Sequence, residues 1–321
     1  MRAIVTGGAG FIGSHLVDRL LADGLAVLVL DDLSTGSEKN LAREARFECI
    51  DLADADPSAI LTAWHPEVVF HLAAQTSVEA SQADPLRDLQ VNVIGTRRIL
   101  DAALSAGVSR FVYVSSGGAI YGETLRPATE HTRPAPASYY GIHKLASEGH
   151  VALAGLSYAI ARPGNIYGPR QRGGSDGAVI ASFLQQATQL GSLMVHGDGG
   201  QTRDFLHVLD AVDALVRLAR EPASEIWNVA SGRSRSIRDL AASIELACGH
   251  PLARINGPVR PGDIRSSKLS ARRLRTIGWR PRIGFRAGIA GLVRADLGQT
   301  LGTATVSVDV VESFAGVPVV Q

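Results

Sequence analysis

Residues 138–144 read Ser-Tyr-Tyr-Gly-Ile-His-Lys, a stretch that sets two phenols close to an ammonium. In a helix, side chains four apart stand one above the other, whereas a separation of five carries the second round the cylinder. Tyr140 therefore pairs with Lys144, and Tyr139 points elsewhere. An ammonium beside a phenol favours the phenolate and lowers the tyrosine pKa from its usual ~10. A phenol tuned in this way can take a proton from an alcohol. The same spacing also fits an ordinary tyrosine and a solvated lysine, so the elements around it must decide.

Short apolar and β-branched runs at 3–6, 26–30, 46–50, 68–72 and 110–115 read as strands. Residues 11–24 and 86–107 have helical apolar spacing and end at Gly24 and Gly107. Such alternation implies α/β architecture, a Rossmann-type doubly wound parallel sheet with helices on both faces. Residues 157–163 and 225–230 supply two further strands. From about 164 the pattern loosens into Gly-, Pro- and Arg-rich stretches at 168–177 and 256–265. The organisation expected is a dinucleotide-binding lobe at 1–164, completed by the strand near 225–230. A smaller, interleaved substrate lobe is expected at 165–321. The last stretch, from Thr303 to Gln321, fits either an extra strand or a frayed tail.

At 321 residues and 45% hydrophobic, the chain is long enough for a large core, and a net charge of +1 gives no footprint for nucleic acid or an anionic membrane. Cys49 and Cys248 lie far apart, form no metal-ligand cluster and suit a reducing cytoplasm. No signal-peptide layout precedes the first strand, and no run is long enough to span a membrane. Lys39, Lys144 and Lys268 are the only lysines among abundant arginines.

After the first strand, Thr-Gly-Gly-Ala-Gly-Phe-Ile-Gly places Gly7, Gly10 and Gly13 where the first helix begins. A tight turn and a close-approaching pyrophosphate both exclude side chains there, and the helix N-terminus offers unpaired N–H groups. Asp31, at the end of the second strand, is placed to take adenosine ribose hydroxyls, which favours NAD over its 2′-phosphorylated form. Asp51 and Leu52, after the third strand, are placed at the adenine edge.

With the glycine loop, His71-Leu-Ala-Ala74, Val91-Asn-Val-Ile-Gly-Thr96, Ser115-Ser-Gly-Gly-Ala-Ile-Tyr-Gly122, Tyr140-x3-Lys144 and Asn165-Ile-Tyr-Gly-Pro-Arg-Gln171, the chain resembles the extended short-chain dehydrogenase/reductases, over roughly residues 2–295. Within that family it is most similar to the NAD-dependent nucleotide-sugar 4-epimerases. The resemblance implies an isomerase with tightly bound NAD. Tyr140 would remove the proton from the sugar O4 while C4 passes a hydride to the nicotinamide. The 4-keto sugar would then turn over and be reduced on its other face. Lys144 would hold the nicotinamide ribose and keep Tyr140 acidic. The cofactor contacts implied are Gly7, Gly10, Phe11, Ile12 and Gly13, then Asp31, Asp32, Ser34, Thr35 and Gly36, with Asp51 and Leu52. Farther along come Leu72, Ala73, Ala74, Gln75, Asn92, Ser115 and Pro163, beside Tyr140 and Lys144. By the same analogy, helices at 86–107 and 138–155 would form a homodimer interface.

One position departs from the family pattern. The serine or threonine that usually bonds the sugar hydroxyl aligns with Gly117, and Ser116 is one residue early, which on an extended segment points the side chain the other way. Either a local bulge brings Ser116 to the site, a water substitutes at Gly117, or Ser116 only ends a strand. Where the 4,6-dehydratases carry an Asp-Glu pair for elimination this chain has Gly118 and Ala119. The related decarboxylases keep a glutamate there too.

For a UDP-sugar, the resemblance implies contacts from Thr76, Ser116, Gly117, Gly118, Tyr140 and Val195. Asn165 would bind a phosphate or sugar oxygen, and Val179 and His196 would flank the uracil. Arg203 and Arg260 would clamp the diphosphate, with Asp263 on the uridine ribose. Arg172 would pair with a C6 carboxylate, which favours UDP-glucuronate and UDP-galacturonate over the neutral alternatives, UDP-glucose/UDP-galactose or UDP-N-acetylhexosamine. A non-catalytic NAD-binding regulator is the remaining alternative, and the Tyr140/Lys144 pair argues against it.

Overall fold

The computed structural model describes residues 1–173, 178–259 and 264–296. Its strands are β1 (Arg2–Thr6), β2 (Ala26–Asp31), β3 (Arg46–Cys49), β4 (Val68–His71), β5 (Arg110–Val114), β6 (Tyr158–Pro163), β7 (Asn165–Tyr167), β8 (Ser192–His196), β9 (Thr202–His207), β10 (Glu225–Val229), β11 (Ser234–Ser236) and β12 (Ala253–Gly257). The helices are α1 (Phe11–Ala22), α2 (Ser58–Trp64), α3 (Val78–Ala83), α4 (Pro85–Leu89), α5 (Gly95–Ser105), α6 (Gly117–Tyr121), α7 (Tyr139–Leu153), α8 (Val179–Leu190), α9 (Val208–Leu218), α10 (Ile237–Cys248), α11 (Arg272–Thr276) and α12 (Phe285–Asp296).

The central sheet runs β10-β6-β5-β4-β1-β2-β3 and every pairing in it is parallel. Side chains alternate along each strand, so both faces must be covered. On β1, Ala3 and Val5 face α1 and α9 through Leu16, Leu20, Val212 and Leu215. Ile4 faces the other way, against Leu61 of α2, Ile99 and Leu100 of α5 and Val151 of α7. The expected strand near 225–230 is β10, which returns to the main sheet beside β6.

Outside this sheet, β11-β9-β7 form a three-stranded sheet and β12-β8 a two-stranded one. Phe183, Leu193, Phe205, Leu240, Ile244 and Ile289 form their apolar core, with α8, α10 and α12 packed over it. The expected helix at 86–107 differs in detail. Asp84 caps α4 by accepting from Arg87 N, a π-helical turn occupies Gln90–Ile94, and only then does α5 begin. The π turn frees the Asn92 carbonyl for the Thr96 and Ser147 hydroxyls, at 2.6 and 2.7 Å. Among the described residues no helix is long and apolar enough to cross a membrane. The expectations for the tail beyond Asp296, and for Arg260 and Asp263, lie outside the described residues.

Candidate active site

The residues singled out in the first half of the sequence converge on the carboxyl edge of the sheet. The strand order reverses between β1 and β4, and a doubly wound sheet opens a crevice at such a point. Gly7 closes the turn after β1 with φ +70, and a Cβ there would lie 2.7 Å from Ala73 N on the neighbouring turn. A Cβ on Gly13 would lie 2.0 Å from the Gly7 carbonyl oxygen, so the first turn of α1 packs on the loop itself. Gly10 precedes α1 without a side-chain cap, which leaves the Phe11, Ile12 and Gly13 amides available to an anion.

Asp31 is buried, and its two oxygens accept from Ala9 N and Leu33 N at 2.9 Å each. Burial pushes its carboxyl up, against the downward pull of those amides. Each oxygen keeps a second lone pair, so Asp31 ties the glycine loop to residues 33–36 and can still accept from a ligand. Asp32 holds Ser34 by its backbone N and its hydroxyl, at 3.0 and 2.7 Å. Thr6 Oγ1 takes the Leu72 and Ala73 amides, which fixes the course of Leu72, Ala73 and Ala74. Beyond β3, Asp51 accepts from Ala53 N and from Arg87 at 2.5 Å. Burial raises its pKa, but Arg87 and the Ala53 amide outweigh that and hold the carboxyl low. Leu52 is buried beneath it. Ser115 Oγ and Asn92 Oδ1 are buried with no protein partner. A cradle closed to any Cβ, an open helix N-terminus and unsatisfied polar atoms at the same edge fit a dinucleotide.

At the β5–β6 end, α7 starts from Ser138, whose hydroxyl accepts from Gly141 N at 3.1 Å. Tyr140 is 9% exposed and Tyr139 44%, as the helical register requires. Lys144 Nζ donates to the Val114 carbonyl at 2.7 Å and lies 4.4 Å from the centre of the Tyr113 ring. Burial pushes Lys144 down to about 7, with Glu148 and Asp88 pulling it back up. Tyr140 moves opposite to the sequence expectation. Burial pushes it up to about 12, the Ser116 hydroxyl pulls it down, and Asp88 pushes it further up. The Lys144 ammonium is held by a carbonyl and lies over a ring face, and burial is the largest influence on both it and the phenol.

Ser116 reaches Tyr140 without a bulge. It is the last extended residue before α6 and caps that helix by accepting from Ala119 N. Strand alternation therefore ends where the sequence argument still applied it. A serine at Gly117 would be crowded, because a Cβ there would lie 2.5 Å from Leu269 Cδ1 and 3.0 Å from the Pro163 carbonyl oxygen. Gly118 lies near Ser267, with 3.6 Å between a built Cβ and that hydroxyl.

The remaining substrate candidates are spread over the smaller sheets and their loops. Asn165 opens β7 in register with Phe205, Val179 opens α8, and Val195 is buried in β8. His196 Nδ1 is 3.0 Å from the Pro258 carbonyl oxygen. Arg203 donates to the Thr202 and Ile264 carbonyls at 3.0 and 2.6 Å, which brings it against the segment that follows Asp263. Thr76 lies in the loop after β4. Arg172 is exposed. Its guanidinium reaches the Thr35 carbonyl at 3.5 Å, on the loop after β2. Asp88 and His143, paired at 2.6 Å beneath this edge, were not foreseen, and a separation of 55 residues leaves no sequence signal of the contact.

This edge defines a dinucleotide-binding α/β enzyme with a buried tyrosine–lysine pair. The chain belongs to the NAD dependent epimerase/dehydratase family, whose profile matches residues 3–230, and its cofactor is NAD. It is 43% identical to the UDP-glucose 4-epimerase of Mycolicibacterium smegmatis, over 91% of this chain and 97% of that one. Among solved structures it is similar to the UDP-glucose 4-epimerase of Thermus thermophilus in complex with NAD, with a TM-score of 0.89, 37% identity, and 93% and 99% of the two chains covered. The UDP-glucose 4-epimerase of Thermotoga maritima with UDP-glucose gives a TM-score of 0.89 at 36% identity, over 94% and 100%.

Proposed function

We propose that this NAD-dependent UDP-sugar 4-epimerase interconverts UDP-glucose and UDP-galactose, with Tyr140 as its proton carrier. The observation that carries the proton role is the buried Tyr140 phenol against Ser116, with Lys144 one helical turn along the same face. Bound NAD supplies the hydride acceptor and donor for C4. With the positive charge of oxidised NAD bound at this edge, Tyr140 would ionise, and as the phenolate it would take the O4 proton while C4 is oxidised and return it when the 4-keto sugar is reduced on its other face. Ser116 orients the phenol and the sugar hydroxyl. Gly118 and Ala119 put no acid beside the C5–C6 bond, which is consistent with epimerisation without elimination. The glycine loop, Asp31, Asp51 and Lys144 are assigned to the cofactor. Asn165, Val179, His196 and Arg203 are assigned to the nucleotide half of the substrate, in a smaller lobe built on β7–β9, β11 and β12.

The neutral sugar replaces the uronate expected from Arg172. The guanidinium that was to meet a C6 carboxylate lies at the Thr35 carbonyl, and the relatives named above are UDP-glucose 4-epimerases. Purified protein incubated separately with UDP-glucose and UDP-glucuronate, without added NAD, tests both parts. Formation of UDP-galactose is expected, together with nicotinamide nucleotide released on denaturation. Faster turnover of the uronate would return the assignment to the acidic sugar. Leu86, Leu104, Ile142 and Leu153 are exposed along α4, α5 and α7, and a homodimer that covers them is the assembly we expect. Sedimentation at micromolar concentration reads it directly.

A further inference from the structure

α7 meets α4 through a buried carboxylate for which proton transfer by Tyr140 has no direct use. The Asp88 side chain is fully shielded, and its Oδ2 lies 2.6 Å from His143 Nδ1. Its Oδ1 accepts from Gln75 Nε2 at 2.6 Å and Asn92 Nδ2 at 3.0 Å. His143 lies between Tyr140 and Lys144 on α7, so the helix that carries the phenol is bolted to this carboxylate. The Gln75 side chain also takes Ser77 N and donates to Ser77 O, which fixes the loop after β4 to the same point.

The other charges nearby have partners of their own. Arg87, on α4, turns outward to Asp51 and Asp54. Glu148 of α7 is bound to Arg162 of β6, and Arg97 of α5 to Asp101. α3 contributes Glu79, α6 ends in Tyr121, which bonds Arg162, and the Tyr139 ring leans on His143 at 6.2 Å. Tyr113 of β5 lies under Lys144.

We propose that Asp88, held by His143 one helical turn from Tyr140, is a positioning residue whose fixed charge bears on how readily Tyr140 exchanges its proton. A carboxylate disfavours a nearby phenolate and favours a nearby ammonium. Burial is the larger influence on both groups, and Asp88 adds to it at Tyr140 and opposes it at Lys144. The inference rests on Tyr140 being the base of the proposed reaction.

Asp88→Asn and His143→Gln separate the charge from the bolt. Asparagine can still accept from Gln75 and Asn92 and donate to a neutral imidazole, so the fold has every bond it needs. On the NAD-loaded enzyme, Asp88→Asn should move the acidic limb of the kcat–pH profile to lower pH by about half a unit or more. His143→Gln keeps the carboxylate charge and should leave that limb in place. The tyrosinate absorbance of the folded protein, with Tyr140→Phe as the subtracted reference, should titrate in the same directions. An unmoved limb in Asp88→Asn, or a downward shift in both variants, overturns the proposal. Full activity in Tyr140→Phe would instead remove the base assignment, while the absorbance titration would still read the charge effect.

Discussion

Where β1 and β2 end, the groove is shaped by side chains that are missing, whereas where β5 and β6 end it is shaped by side chains that are buried and titratable. A Cβ on Gly7 or Gly13 would lie 2.7 or 2.0 Å from a neighbouring backbone atom, too close for any side chain. Asp31 at that end is held by backbone amides. At the other end burial drives Tyr140 and Lys144 apart in acidity, to about 12 and about 7. The first end offers its shape and its open amides to a ligand. The second depends on excluding water, because desolvation is the largest influence on both of its groups. A single groove therefore joins a site that steric change breaks to a site that charge change breaks.

The chemical end should give the largest effect. Tyr140→Phe is expected to cost about 10²–10⁴ in turnover with UDP-glucose, the range of a lost general base, while NAD stays bound. Tyr139→Phe, exposed on the neighbouring face, should change turnover by less than about threefold, a small fraction of that general-base range. Equal losses at the two positions would break the register on which the site is built.

The binding end should fail differently. Gly13→Ala forces a methyl into the Gly7 carbonyl, so the protein should purify with little or no nicotinamide nucleotide, as read after denaturation. Retention of a full complement would show that the loop can give way.

Gly117→Ser probes the border between the ends. Overpacking against Leu269 and the Pro163 carbonyl should cost about 1–3 kcal/mol in urea unfolding, and a paired Leu269→Ala should recover part of it. A gain in activity with no loss of stability would mean that this position, not Ser116, is where the hydroxyl belongs.

A pH titration of stability isolates the desolvated end further. His71 is fully buried between the Thr6 and Thr96 hydroxyls, and burial first, then Lys144, lowers it to about 3. Below its unfolded value of about 6.5 the unfolded chain takes up a proton that the folded chain refuses. Stability should therefore fall as pH drops from about 6.5 toward 3, with a contribution approaching about 1.4 kcal/mol per pH unit. His71→Gln should flatten that part of the curve. The smallest effect is expected at Arg172→Ala, which loses one exposed bond to Thr35 and should leave the choice between UDP-glucose and UDP-glucuronate within about threefold, since surface contacts are worth about 1 kcal/mol or less.

Sequence alone carried the order of β1–β6, the later strand that became β10, the glycine loop and the choice of Tyr140 over Tyr139. These are local properties: alternation with period two, the helical period, and the space that a glycine leaves. The break of the 86–107 helix at Asn92 was hidden, because a π turn is stabilised by the Thr96 and Ser147 hydroxyls that it meets only in the fold. Three further decisions belonged to tertiary structure. Ser116 reaches Tyr140 because α6 starts one residue later, Arg172 lies at the Thr35 carbonyl, and Asp88 meets His143 across 55 residues. Above all, spacing alone could not give the acidity of Tyr140. A helical offset says which groups are neighbours, but the depth of burial sets whether a charge between them survives, and burial belongs to the whole fold.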